Sequence, residues 1–183
     1  GAIDLRSEMN FSASVNAGKR DRGAAALGVT TDYTEQTMRA FLTGRAIISH
    51  AAGPLSEEAS AALREQRDLA VDGWERALAA TAIHYFNDTI RDTLADEYSF
   101  VDHAKHWGEL KGFLLTLQFN PRAQVSDADL TTIHELVGTA PVLPGQPGTD
   151  AYVEALLEAR DLLAGAYGFE AALGGDEVGE NGW

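Results

Sequence analysis

The chain has no cysteine, so disulfide frameworks, thiolate metal sites and cysteine nucleophiles are excluded. It also lacks any run of about 18 apolar residues, which excludes a membrane-spanning helix. No Gly-x-Ser-x-Gly elbow, glycine-rich dinucleotide turn or phosphate-binding loop is present; the segment around Gly18-Lys19-Arg20 lacks the second spaced glycine and the Ser/Thr after lysine. Basic charge is scarce: 14 Lys and Arg stand against 28 Asp and Glu, a formal net charge of −14. Such a field repels phosphate backbones and anionic membranes, so nucleic-acid binding is excluded as a function class. A signal-peptide pattern of basic start and apolar run is missing too. Gly1 is not a natural initiator, and the chain is read as processed, trimmed or numbered from inside a longer precursor.

What remains is a globular composition. An apolar fraction of 45% and a charged fraction of 23% over 183 residues suit one domain with its own core. Residues 1–32 read as an irregular segment, punctuated by glycine and carrying a basic cluster at Lys19, Arg20 and Arg22. From Tyr33 the pattern turns helical, with Met38, Phe41, Leu42, Ile47 and Ile48 on one broad stripe that ends near Gly53-Pro54. Ser56 is an N-cap candidate for a long helical stretch to residue 97, in which Gly73 marks a break or bend. Its second half carries Trp74, Leu78, Ala82, Tyr85 and Phe86 on a wide apolar face. A helix over about 100–119 stops at Asn120-Pro121. Ser126 to Asp129 forms a capping box with Asp in place of Glu, opening a helix to Gly138. After the stiff connector 141–148, a last helix turns Val153, Leu156, Leu157 and Leu163 inward. No stretch alternates at period two. The expected fold is an all-α bundle of about five helices over 33–170, followed by an acidic, glycine-rich tail at 171–183 that is disordered by default unless Trp183 docks.

The chemistry concentrates in FVDHAKHWGELKGF, residues 100–113. With about 100° per residue, Asp102, His106 and Glu109 share a stripe that continues into Phe113 and Leu117. His103 lies to the side, with Trp107 and Leu110. Buried charge demands compensation, and a His/Glu pair at i, i+3 offers two convergent donors to a cation. Helical-bundle metal sites use these residue types at this spacing, in the order Glu-x-x-His. In the preceding helix His84 and Asp88 are i, i+4, beside Asn87, with Ala77 and Ala80 earlier on the same face to admit a close neighbour. Antiparallel packing of the two helices would gather His84, Asp88, Asp102, His106 and Glu109, with His103 at the flank. That set suits Fe, Zn, Mn or Cu. The competing reading is structural: His84 caps a core hydrogen-bond network and Asp88 pairs with Arg91 or Arg39. His134 reads as a core histidine and His50 as a helix cap. Asn10-Phe-Ser and Asn87-Asp-Thr match the short glycosylation sequon.

HYFNDTI, KHWGELKGFLLTLQFNP, VSDADLTTIHELVGTAPVLPG and ARDLLAGAYGF resemble an uncharacterised family of exported bacterial proteins, often encoded beside imelysin-like proteins. The resemblance spans about residues 74–168 and is most specific at KHWGELKGF and LQFNP. Imelysin-like proteins are all-helical, periplasmic or surface-attached, and tied to iron acquisition; their hallmark is Gly-x-His-x-x-Glu. His106 and Glu109 look like that pair, with Ala104 where the hallmark has glycine. The resemblance implies a periplasmic or cell-surface location, a metal ion (Fe, Zn or Cu), and an outer-membrane or periplasmic protein partner. Three functions stand open at this stage: a metal-binding protein linked to iron acquisition, a metal-dependent peptidase, and a non-catalytic interaction module with a structural polar core. A binding role is favoured over an enzymatic one, because no general base exists beyond Glu109 itself.

Overall fold

A computed structural model describes residues 3–4, 9–10 and 12–183. Among these, seven α-helices carry the chain: α1 (Ser12–Ala26), α2 (Tyr33–Ser49), α3 (Glu57–Leu94), α4 (Phe100–Leu117), α5 (Asp127–Val137), α6 (Thr149–Tyr167) and the short α7 (Ala171–Gly174). The only ladder among the described residues is a two-residue antiparallel pair, β1 (Ile3–Asp4) and β2 (Met9–Asn10). The expected all-α bundle is what the chain forms.

Local chemistry sets the helix starts. Asp32, Ser56, Ser99 and Ser126 each accept a hydrogen bond from the backbone N–H three residues on, which satisfies a donor the first turn leaves open. Gly138 and Gly168 take positive φ at the ends of α5 and α6, where a side chain would strain the backbone.

Two expectations need correcting. The 1–32 segment is not irregular throughout, since α1 occupies residues 12–26; residues 27–32 carry no regular element, and residues 1–2, 5–8 and 11 lie outside the described residues. The helix buries Ala17, Arg20 and Ala24, small or polar residues that leave no apolar stripe to detect. Gly73 does not break α3, which runs unbroken for 38 residues, about 57 Å. The glycine instead lets α2 cross closely, because a Cβ there would meet Thr37 Oγ1 at 2.6 Å.

α3 is the central post. Ala77, Ala80, Ile83, Phe86 and Ile90 are fully buried, and Leu110, Leu114 and Leu117 of α4 pack with them in one core. Leu156 and Leu163 of α6, with Ile133 and Val137 of α5, complete it. α2 behaves differently from its pattern. Its buried face is Tyr33, Thr37, Ala40 and Gly44, while Met38, Phe41, Leu42 and Ile48 are each more than half exposed.

The tail is ordered against the bundle, which corrects the default of disorder. Trp183 is buried and donates its indole N–H to Arg20 O at 3.0 Å. Asn87, 1% exposed, donates to Gly174 O and Trp183 O and accepts from the buried Arg160. Its sequon is therefore closed to glycosylation in the folded protein; the Asn10 side chain lies outside the described residues.

Glu75 ties α3 to α6 and to the α4–α5 connection. Its Oε1 accepts from Tyr167 Oη at 2.7 Å and from Gln124 N at 2.8 Å, whereas Oε2 is buried without a partner. Desolvation raises its pKa above the usual 4.5. The folded state therefore holds a proton that the unfolded chain releases, and stability falls as pH rises from 4.5 through the raised value. Glu75→Gln keeps the acceptor and removes the charge. Its stability relative to wild type is expected to improve as pH rises from 4.5 to 7. Urea unfolding at both pH values checks this, and a flat difference would contradict it.

Candidate functional site at the α3–α4 seam

α3 and α4 run antiparallel through the Ser99 turn, which brings the ends with His84, Asp88 and His106 onto one seam. Positions 84, 88 and 92 are successive i, i+4 neighbours on α3, so His84, Asp88 and Asp92 form one stripe. From α4, His106 reaches across to it. His106 Nδ1 lies 2.7 Å from Asp92 Oδ2, and its Nε2 lies 3.8 Å from Asp88 Oδ2. His84 Nε2 approaches the same Asp88 oxygen at 3.4 Å. Two imidazoles from different helices thus converge on one carboxylate oxygen.

The carboxylate of Asp92 needs a donor, which puts a proton on His106 Nδ1 and leaves Nε2 turned toward Asp88. Burial lowers the pKa of His84, helped by the Arg20 guanidinium; Asp88 and a backbone hydrogen bond to Trp183 pull the other way. A His84 kept neutral by its surroundings has a lone pair to offer at neutral pH.

Glu109 stands one turn along α4. Its Oε2 is buried with no hydrogen-bond partner, and the Tyr85 hydroxyl bonds to the same carboxylate. The Tyr85 pKa is raised, first by desolvation and then by Glu109. Its ring stacks on Phe113 at 5.6 Å and lies 6.1 Å from the His106 ring, which walls one side of the seam. Asp88 also pairs with Arg91, as the structural reading expected, and Arg91 reaches on to Gly179 O at 3.0 Å.

Of the six candidate ligands, four gather here: His84, Asp88, His106 and, at its edge, Glu109. The other two do not. Asp102 is exposed in the first turn of α4. His103 is fully buried on the opposite flank, with Tyr98 Oη 3.2 Å from its Nδ1 and Thr93 Oγ1 3.4 Å from its Nε2. Both ring nitrogens are used and burial lowers its pKa, so His103 is a core histidine. His50 caps α2 through Ala46 O at 2.8 Å, as expected. His134 packs beside Lys111, its Nδ1 3.4 Å from Nζ, and its Nε2 is buried without a partner.

Asp92 was missed by the sequence reading, although the His84, Asp88, Asp92 spacing announces one helical stripe. Arg20 left no comparable signal, because α1 reaches the seam only through tertiary packing.

Among the described residues no three His, Asp or Glu side chains stand as a set ready to hold a metal ion. Asp88 Oδ2 lies between the two imidazole nitrogens, at 3.4 and 3.8 Å. Comparison with family models, curated proteins and solved structures finds no match to this chain.

Proposed function

We propose that the chain is a metal-binding helical protein whose ion is taken up at the α3–α4 seam by His84, Asp88 and His106, with Glu109 as a fourth donor. The observation that carries this reading is the approach of two imidazole nitrogens, at 3.4 and 3.8 Å, to one Asp88 oxygen. Ligands about 2.0–2.2 Å from a tetrahedral ion sit roughly 3.3–3.6 Å from each other, so these pairs are close to the spacing of two ligands on one ion. Asp92 on His106 Nδ1 is the carboxylate that commonly orients a ligating histidine. Charge agrees as well. Asp88, Asp92 and Glu109 outnumber the nearby Arg20 and Arg91, which leaves a cation as the compensating partner.

Two histidines with carboxylates suit Fe(II) or Zn(II), and open positions remain for water. The resemblance of HYFNDTI and KHWGELKGF to exported, imelysin-associated proteins adds an iron-acquisition role and a periplasmic or surface location to the proposal. Nothing at the seam favours the peptidase reading over binding.

Protein purified without chelator is titrated with Zn(II) and, anaerobically, Fe(II), by calorimetry and metal analysis. One equivalent per chain is expected. His106→Ala and His84→Ala should each weaken binding at least about 100-fold, and Asp92→Asn about 10-fold. Unchanged affinity in both histidine variants overturns the proposal. A lower melting temperature of His106→Ala with no metal uptake by wild type assigns the seam to fold maintenance instead.

A further inference from the structure

α3 packs along α2 over its first turns. Its side-chain ties to the rest of the bundle begin at Asp68, 3.3 Å from Arg122, and at Asp72, which accepts from Gln124. Between α2 and this half of α3 runs an open groove of about 710 Å³, walled by Phe41, Ile48, Leu63 and Trp74 and edged by Arg45, Arg64 and Arg67. The apolar surface continues outward over Met38 and Leu42, both more than half exposed. An exposed patch of this extent on a folded domain marks a contact surface.

The charge of the groove is the reverse of the chain's. No Asp or Glu lines it, although acids outnumber bases two to one overall. Arg67 pairs with Asp68 at 2.7 Å, while Arg45 and Arg64 have no ion pair with any described residue. Glu65, Asp68 and Asp72 border a separate hollow, which Arg64 lines as well.

We infer that this groove docks an amphipathic helix of a partner protein, with an apolar stripe between α2 and α3 and flanking Asp or Glu side chains on Arg45, Arg64 and Arg67. Two antiparallel helices offer a third helix a groove that takes apolar residues at i, i+3/i+4 and i+7, and Phe41, Arg45 and Ile48 recur at that spacing on α2. A second copy of the chain fits poorly. The groove itself carries no acid that could meet the arginine edge of another copy's groove. An anionic membrane is opposed by the net charge of −14.

The probe is a fluorescent helical peptide of about 18 residues, with leucine on one face and glutamate along both flanks. It is titrated by anisotropy against the full chain, beside a peptide carrying lysine at the flanks. The glutamate peptide should bind at least about ten-fold tighter, with affinity falling as salt rises. Arg45→Glu combined with Arg64→Glu should reverse that preference. Phe41→Ser should weaken both peptides at least about ten-fold while circular dichroism and melting temperature stay at wild-type values. Equal binding of the two peptides, or binding of neither, overturns the inference. A concentration-dependent dimer dispersed by Phe41→Ser, or preferential binding to phosphatidylglycerol vesicles, overturns it equally by naming another occupant.

Discussion

Trp183→Ala should lower the unfolding free energy by about 3–5 kcal/mol, which for a domain of this size is a fall in melting temperature of roughly 6–20 °C. The indole closes the bundle. It stacks edge-on against Phe169 at 4.8 Å, lies over Gly23, where a Cβ would meet Trp183 Cδ1 at 3.2 Å, and hydrogen-bonds Arg20 O. The Trp183 backbone N–H donates to Leu173 O at 3.0 Å. Removing the ring leaves a cavity between α1 and the tail and takes away the second hydrogen bond of the Arg20 carbonyl. Trp183→Phe keeps most of the volume and loses the hydrogen bond, so its cost should be nearer 1 kcal/mol. Urea unfolding by circular dichroism tests this. A loss below about 1 kcal/mol would mean the tail is not part of the cooperative unit.

The docking of that tail marks where sequence reading stops. Helix starts at Ser56 and Ser126 and the inward positions of α6 were legible, since capping and 3.6-residue periodicity are local properties. α1 was not legible, because its buried positions are alanines and an arginine. Nor was the outward turn of the α2 stripe: periodicity shows that Phe41, Leu42 and Ile48 share a face, but only packing decides whether that face meets the core. At the seam, His106 was correctly set apart from His103, and His84 and Asp88 were correctly paired. Which flank of α4 turned inward was misjudged, because Asp102 and His103 sit near a helix end where one turn separates solvent from core. His103 is buried there with both nitrogens satisfied.

Asn87→Asp should destabilise the protein by about 2–6 kcal/mol at neutral pH, although it changes no shape and faces an arginine. Asn87 uses its amide in both senses. Oδ1 accepts from Arg160 Nη1 at 2.9 Å, and Nδ2 donates to Gly174 O at 3.0 Å and Trp183 O at 3.2 Å. A carboxylate keeps the Arg160 bond and gains charge there. Its second oxygen then faces two carbonyl oxygens at hydrogen-bond distance, with no proton between them. Both carbonyls lose the Asn87 donor in a site 1% exposed, where water cannot replace it. The gain at Arg160 is limited further, because that guanidinium is already occupied by Asp176 O at 2.8 Å. The sign of the pH dependence follows. Protonating the new carboxyl restores a donor, so its folded-state pKa lies above the unfolded value and stability recovers as pH falls through it. Parallel urea unfolding of wild type and Asn87→Asp should therefore show the deficit largest at pH 7 and shrinking toward pH 4. A deficit constant with pH would place the cost in packing; a variant as stable as wild type would mean that Arg160, not the two carbonyl bonds, holds the tail.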